Sequence, residues 1–157
     1  GRLARKELRT ELQSFKEEFA SLGVVLGARY DNSPIIVSDG TQPPPDDRAK
    51  YIPSACPGGR SPHYWIGDKI SLFDRLGPWF TLLRLGEGAP NGTNLEQAAL
   101  DLKIPLMILS IEEKKIQELY EVPLTLIRPD QHVAWRGDAP PKNAADLLKK
   151  VIGNQIG

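Results

Sequence analysis

The first apolar residues of the chain predict an amphipathic helix. They follow one another at intervals of four, three, four and three residues, at Leu8, Leu12, Phe15, Phe19 and Leu22. This spacing places them on one face of an α-helix whose other positions are largely charged. Gly23 is the expected C-cap residue of this helix. Because the polar face carries both signs of charge, packing against a neighbouring element is favoured over the alternative of a helix lying on a membrane.

Residues 24–70 have a different character and predict an extended arm rich in proline and glycine. "GVVLGARY" and "IIVS" have the composition of two short strands, with a turn at residues 31–34 between them. Regular elements are then excluded from "DGTQPPPDD" and "YIPSACPGGRSPHYW", since proline lacks an N–H and fixes φ. The arm nevertheless carries apolar side chains that we expect to be buried against another surface. These are Tyr51, Ile52, Tyr64, Trp65 and Ile66.

From residue 71 onward the pattern alternates between helices and strands. Helix starts are predicted where a side-chain acceptor is followed three residues later by an acidic residue. This occurs at Ser71, Thr93, Ser110 and Asn143. Apolar runs between these starts predict strands at residues 79–85, 104–110, 124–128 and 132–136.

The order of these elements predicts the fold class. The first strand–helix–strand unit should be a right-handed parallel crossover, and the last two strands, which flank residues 129–131, should form an antiparallel hairpin. We therefore predict an α/β protein with a thioredoxin-like βαβ-α-ββ-α core over residues 71–157. This core lacks Cys-x-x-Cys and is preceded by the helix and arm of residues 1–70. Pro123 lies where that fold places a cis-proline, so we expect a cis bond before it.

Composition narrows the range of partners. The 20 basic residues balance the 20 acidic ones, so we expect neither nucleic acid nor a membrane surface as a partner. The longest apolar run, residues 104–111, is too short to cross a bilayer. A single cysteine, Cys56, suits a reducing, cytoplasmic setting, and a zinc site of the usual spacing is not expected. Because the chain begins with Gly1 rather than Met, we expect it to be a fragment of a longer protein.

The candidates for chemistry are few. The segment "GEGAPNGTN" (residues 86–94) holds no cysteine, which excludes dithiol chemistry at the start of the crossover helix, and its glycines lack the spacing of a phosphate loop. Cys56 is expected to be packed, with a peroxidatic thiol as the alternative. His63 is expected to be a structural or interface residue, with a general base as the alternative.

The stretch "LTLIRPDQHVAWRGD" combines a histidine, a tryptophan and two arginines, so it is either an active site or a hairpin. Side chains alternate between the faces of a strand, which directs Val133 and Trp135 toward the core. Gln131 and His132 are then expected at the solvated turn, where Asp130 is the nearest carboxylate. We therefore interpret the stretch as a structural hairpin.

"LIRPDQHVAWRGD" also resembles a motif near the C-terminus of FAD-dependent aromatic-ring monooxygenases. The group that it resembles includes phenol and 2,4-dichlorophenol 6-monooxygenases and polyketide hydroxylases. Three further stretches resemble the same family in the same order, at residues 22–41, 57–66 and 71–86.

The resemblance implies a longer parent enzyme that hydroxylates a phenolic ring with FAD, NAD(P)H and O₂. The family's GxGxxG motif is missing from this chain, so we expect no cofactor, no metal and no catalytic residue in it. The implied role is structural, as a C-terminal domain in a homo-oligomer such as a dimer. Its expected partners are the flavin- and substrate-binding domains of the same polypeptide.

The resemblance also gives the arm an expected partner. We expect Arg60, His63 and Trp65 to lie at the interface with the flavin-bearing part, and we expect self-association to use residues 1–70. The alternative function is a free-standing, redox-inactive thioredoxin-like binding module.

Overall fold

The structure, a computed structural model, describes residues 5–12, 21–67 and 69–154. The chain divides into two compact units, one of Gly1–Ala28 with Pro44–Ile52, and one of Arg29–Pro43 with Pro53–Gly157. These units divide the chain differently from the predicted boundary at residue 70. None of the helices in the described ranges is long and apolar enough to cross a membrane.

The first unit contains two short helices. Residues 5–12 are helical (α1), while residues 13–20 of the predicted amphipathic helix lie outside the described residues. The second helix, α2, is Leu22–Leu26. The prediction that Gly23 ends the first helix was therefore wrong, as was the strand predicted over "GVVLGARY".

Gly23 has a packing role instead of a capping role. Its N–H donates to the carbonyl of Arg48 at 3.2 Å. A Cβ at Gly23 would lie 1.6 Å from the carbonyl oxygen of Asp47, so only glycine allows residues 47–50 to approach α2 this closely. The helix is favoured over a strand because its amides bond locally, Val25 to Ser21 and Gly27 to Gly23.

The second unit holds the remaining elements. From residue 72 onward they follow the predicted order, whereas the short two-stranded hairpin that comes first was not predicted. They are β1 Trp65–Ile66, β2 Ile70–Ser71, α3 Leu72–Arg75, β3 Phe80–Leu85, α4 Thr93–Asp101, β4 Leu106–Ile111, α5 Lys114–Tyr120, β5 Leu124–Ile127, β6 Val133–Gly137 and α6 Ala144–Val151.

Four of these strands form one mixed sheet in the order β4-β3-β5-β6. β3 and β4 run parallel from Phe80 opposite Leu106 to Leu85 opposite Ile111. β5 is antiparallel to both β3 and β6. The predicted parallel pairing across the crossover, the hairpin and the α/β class are thus confirmed, and the thioredoxin-like assignment stays a prediction.

Both faces of the sheet are covered. On one face, Leu82, Leu124 and Leu126 pack with residues of α4 and α6 such as Leu95 and Leu148. The other face has its own core of buried side chains: Ala55, Leu72, Leu83, Leu85, Ile111, Ile116, Tyr120 and Ile127. Burial on both faces explains why the central strands lack a regular alternation of apolar and polar residues.

The helix starts follow the predicted caps only in part. Ser71 and Asn143 cap α3 and α6, as predicted, by accepting the amides of Phe73 and Asp146. Thr93 was expected to cap α4, but the helix begins one residue earlier, at the N-cap Gly92. Ser110 was expected to cap α5, but it lies within β4.

The arm closes one edge of the sheet. The N–H of Val37 donates to the carbonyl of Ala134 at 2.8 Å, and Gly58 and Gly59 exchange backbone hydrogen bonds with Val133 at 2.8 and 2.9 Å. The strand predicted over "IIVS" was wrong, since Val37 makes a single sheet-like bond there. The start of the β6 edge, at Val133 and Ala134, is nevertheless covered by arm backbone, whereas residues 38–42 and 45–50 of the arm are exposed.

The predicted cis bond before Pro123 was wrong, because no peptide bond in the described residues is cis. Trans is the favoured isomer even for X–Pro bonds. With the trans bond, the carbonyl of Pro123 still accepts the N–H of Leu85 at 2.9 Å. The chain therefore enters β5 in register with β3 without the rarer isomer.

Candidate functional site

The β1–β2 hairpin is held in place by one carboxylate. Glu113, which precedes α5, accepts the Tyr64 hydroxyl at 2.7 Å on one oxygen and the N–H of Gly67 at 3.0 Å on the other. The hydrogen bond to this carboxylate raises the pKa of Tyr64 above its ordinary value, because it stabilises the protonated phenol. The Glu113 side chain thus bonds to the hairpin, which explains why it does not cap α5.

The hairpin presents a tryptophan to solvent. Trp65 is 57% exposed, although its backbone is fixed by the pairing of Trp65 with Ser71. Within this chain Trp65 is therefore not buried, and neither is Ile52, which is 45% exposed. Their burial against another part of the longer protein stays a prediction. An open groove beside Trp65 is lined by His63, Tyr64, Trp65, Gly67, Glu113, Lys114 and Lys115.

The three residues predicted at an interface lie in one contiguous strip. The ring of His63 meets Trp65 edge-on at 4.9 Å and Phe73 at 5.3 Å between centroids. The guanidinium of Arg60 lies 5.1 Å from the centroid of the same Phe73 ring and donates to the side-chain oxygen of Gln131 at 3.0 Å. We call Arg60, Phe73, His63 and Trp65 the aromatic strip.

Sequence reasoning missed the residues that support this strip. Phe73 joins Arg60 to His63 and Glu113 anchors the hairpin, yet neither belongs to a motif with chemistry of its own. The available signal was position: Phe73 lies in the stretch of residues 71–86 that resembles the monooxygenase family. That the strip forms an interface stays a prediction.

His63 is positioned by a hydroxyl. Its Nε2 lies 3.0 Å from Ser71 Oγ, and the same oxygen accepts the N–H of Phe73 at the start of α3. The Ser71 hydroxyl donates to Nε2 in one tautomer of the ring and accepts from it in the other. This arrangement fixes the ring between Trp65 and Phe73, which suits an orienting contact better than proton transfer.

Cys56 is a poor nucleophile in this structure. It is buried, and its Sγ lies 3.5 Å from the carbonyl oxygen of Thr41. Burial raises the pKa of the thiol, and the charge of Asp39 raises it further, so the reactive thiolate is disfavoured. Among the described residues no cluster of His, Cys, Asp and Glu could hold a metal ion.

The glycine-rich loop between β3 and α4 is occupied by the protein itself. Arg84 donates to the carbonyls of Pro90 and Ala89, each at 2.8 Å. A Cβ at Gly92 would lie 2.3 Å from a methyl group of Leu82, so this glycine serves core packing. The loop carbonyls and Gly92 thus have structural roles in this domain.

The C-terminal hairpin differs from its predicted orientation. His132 was expected at the solvated turn, but it is 8% exposed, stacks on Tyr30 at 4.4 Å between centroids and has Nδ1 2.9 Å from the carbonyl oxygen of Asp130. Trp135, expected in the core, is only partly buried at its margin. A register shift between Leu126 and Ile127 breaks the simple alternation of faces on which the prediction rested.

Arg136 of the same hairpin is the centre of a buried polar network. It is 4% exposed and donates to Asp39 at 2.6 Å and to Thr41 Oγ1 at 2.9 Å in the arm. It also donates to the carbonyl of Tyr120 at 3.1 Å and to the carboxylate of Glu121 at 3.0 Å, at the end of α5. Arg136 therefore joins three parts of the second unit.

Comparison with known proteins decides the family. Residues 54–155 match the family described as "Aromatic-ring hydroxylase, C-terminal". The chain belongs to this family. The resemblance found in the sequence is thereby confirmed, and the chain is a C-terminal domain of FAD-dependent aromatic hydroxylases.

Curated relatives agree with this assignment. The FAD-dependent monooxygenase opdD of Penicillium oxalicum is 31% identical over 162 residues, which cover 100% of this chain and 30% of that protein. Phenol 2-monooxygenase of Pseudomonas sp. strain EST1001 is 32% identical over 157 residues, covering 88% of this chain and 26% of that protein.

Solved structures give the same result. A native and K252c-bound RebC-10x matches with a TM-score of 0.81 and 33% identity over 94% of this chain and 27% of that one. The flavin-dependent monooxygenase PieE, crystallised with FAD and substrate, matches with a TM-score of 0.76 and 30% identity over 98% of this chain and 30% of that one. The chain therefore spans about a quarter to a third of the length of these relatives.

Proposed function

We propose that this domain is a non-catalytic, supporting part of a longer enzyme that hydroxylates a phenolic ring with FAD, NAD(P)H and O₂. The observation that carries the proposal is the exposed Trp65 on a hairpin anchored by Glu113. An ordered tryptophan that remains 57% exposed has the character of an interface anchor. We propose that the aromatic strip contacts the flavin- and substrate-binding domains of the same polypeptide.

The chemistry of the described residues supports a role outside catalysis. The buried thiol of Cys56 has a raised pKa, which argues against the thiol peroxidase alternative. The loop from Gly86 to Gly92 lacks the GxGxxG spacing and bonds to Arg84 through two of its carbonyls, which argues against a dinucleotide site in this domain. A free-standing binding module is the remaining alternative, and the family match at residues 54–155 favours the domain of a longer enzyme.

The purified chain is expected to be colourless and to bind no FAD. The reason is that it lacks the glycine-rich fingerprint on which a dinucleotide diphosphate rests. The measurement is the visible flavin absorbance after dialysis, together with a fluorescence titration of added FAD. Stoichiometric flavin that survives dialysis would contradict the proposal that this domain is accessory.

Trp65→Ala is expected to weaken binding between this chain and a separately produced flavin- and substrate-binding part by about thirtyfold or more. Such a loss is typical of a tryptophan at the centre of an interface. The dissociation constant is measured by titration calorimetry. The free energy of unfolding of the isolated chain should change by less than about 1 kcal/mol, because the side chain is largely solvated.

Trp79→Ala is the matched control, since Trp79 is also 57% exposed but lies outside the aromatic strip. Its dissociation constant should stay within about twofold of that of the unmodified chain. An equal loss of affinity in the two variants, or no binding by the unmodified chain, would contradict the proposed interface.

A further inference from the structure

We infer that the open edge of β4 pairs with β4 of a second copy of this chain, in antiparallel orientation. This inference does not rest on the proposed function. The sheet has two edge strands, β6 and β4. At the β6 edge, Val133 and Ala134 already bond to Val37, Gly58 and Gly59 of the arm. On the outer side of β4, by contrast, none of the described residues donates to or accepts from the backbone.

The outward-facing groups of β4 can be assigned individually. The carbonyl of Ile111 accepts the N–H of Gly86, which follows β3, at 2.8 Å. Successive residues of a strand turn their backbone groups to opposite sides, so Met107 and Leu109 also bond toward β3. The N–H and C=O groups of Leu106, Ile108 and Ser110 therefore point away from the sheet, where a further strand would lie.

The side chains of β4 do not block such a strand. Natural edge strands are commonly protected by a charged residue, a proline or a bulge. β4 has the sequence "LMILSI", which contains neither charge nor proline, and it pairs with β3 over six consecutive residues without a register shift. A regular, uncharged edge of this kind accepts an added strand through main-chain hydrogen bonds.

A second copy of β4 complements the first. In a two-fold arrangement the outward groups of Ile108 face Ile108 of the other copy, and those of Leu106 face Ser110. All three outward residues are then paired, as the same surface must be in an isologous dimer. The result is one continuous sheet of eight strands, since each copy contributes four.

The charges that flank β4 favour this antiparallel orientation. Lys103 precedes the strand and Glu112 follows it, and both are exposed. Antiparallel pairing brings Lys103 of each copy to the end that carries Glu112 of the other, whereas parallel pairing would bring like charges together. The nearby Lys114 already pairs with Glu118 at 3.7 Å.

The first test is sedimentation combined with hydrogen exchange of the full chain at increasing concentration. A dimer is expected, and the amides of Leu106, Ile108 and Ser110 should exchange several-fold more slowly as it forms. The amides of Met107 and Leu109 should not change, because their bonds lie within the monomer. A monomer at all concentrations overturns the proposal. A dimer without slowing of the three outward amides places the contact elsewhere, such as in residues 1–70, and also overturns it.

The second test exchanges the flanking charges. Lys103→Glu and Glu112→Lys should each weaken the dimer about tenfold, because two attractive contacts become repulsive. The double variant K103E/E112K should recover the original dissociation constant within about twofold. Both positions are exposed, so unfolding curves recorded at concentrations where the chain is monomeric should be unchanged. A double variant as weak as the single ones overturns the antiparallel pairing.

Trp65→Ala separates this inference from the proposed function. It should leave the dimer intact while weakening contact with the flavin-bearing part. If Trp65→Ala dissociated the dimer and the outward amides of β4 exchanged freely, the aromatic strip rather than β4 would be the self-association surface.

Discussion

Replacing Arg136 with leucine is expected to lower the free energy of unfolding by about 3–5 kcal/mol. The guanidinium is 4% exposed and donates to two carboxylates, those of Asp39 and Glu121, and to Thr41 and the Tyr120 carbonyl. Leucine leaves these acceptors without their donor. The Tyr120 carbonyl and the partly buried Asp39 carboxylate then each lose a hydrogen bond that offset their desolvation. This loss destabilises the folded state far more than the intact ion pair stabilised it.

Urea unfolding followed by far-ultraviolet circular dichroism measures this loss. The matched control is Lys114→Leu, which removes an ion pair whose side chains are 86% and 63% exposed. An exposed pair of this kind contributes about 0.5 kcal/mol or less. If Arg136→Leu were as mild as Lys114→Leu, the network would not hold the arm to the sheet. Hydrogen exchange near Val37, whose amide bonds to Ala134, should also accelerate only in the Arg136 variant.

The sheet was predictable because its signal is local. Phe80–Leu85, Leu106–Ile111 and Leu124–Ile127 are apolar runs bounded by capping and turn residues, and the strand–helix–strand order restricts their pairing. The strand limits differ from the predicted ones by a residue or two, as is usual for element ends. The apolar runs at residues 23–30 and 35–38 carried the same local signal, but they form no strands.

The arm could not be predicted because tertiary contacts determine its conformation. Residues 29–43 are held by long-range partners, such as Arg136 to Asp39, 97 positions apart. The burial of His132 also depends on the arm, since Tyr30 stacks against its ring. A pattern of apolar and polar residues reports which face of an element is buried, but it does not report which distant segment covers that face.

The residues of the candidate site were likewise predictable only in part. Arg60, His63 and Trp65 were predicted together because they share the stretch of residues 57–66, and they do lie together. The ring that joins them, Phe73, comes from the next helix, and the anchor, Glu113, comes from a loop 49 positions after Tyr64. These two contributions depend on packing between elements, for which the sequence has no spacing rule.

Acidification is expected to destabilise the chain through Asp39. Burial alone would raise the pKa of this carboxyl, but hydrogen bonds from Arg136 and Thr41 outweigh burial, and its pKa lies below the ordinary value of 3.8. The pKa of Asp130 is lowered in the same way by Arg128. A lowered folded-state pKa means that the unfolded chain takes up protons first as the pH falls.

The stabilisation from Asp39 is therefore fully present above the ordinary value of 3.8 and is lost as the pH falls through the lower folded-state pKa. Within that window the free energy of unfolding should fall by up to about 1.4 kcal/mol per pH unit for each such carboxyl. The measurement is a series of urea unfolding curves on both sides of this window. Asp39→Asn should be less stable at neutral pH but should show a shallower acid slope, because its side chain does not titrate.

Glu118→Gln is the control for this slope. Glu118 is 63% exposed and pairs with the exposed Lys114, so replacing it should leave the acid slope unchanged. If Asp39→Asn had the same acid slope of the unfolding free energy as the unmodified chain, the Asp39 carboxyl would have a similar pKa in the folded and unfolded states. The hydrogen bonds from Arg136 and Thr41 would then not favour the ionised carboxylate, and the arm would be held by packing rather than by charge.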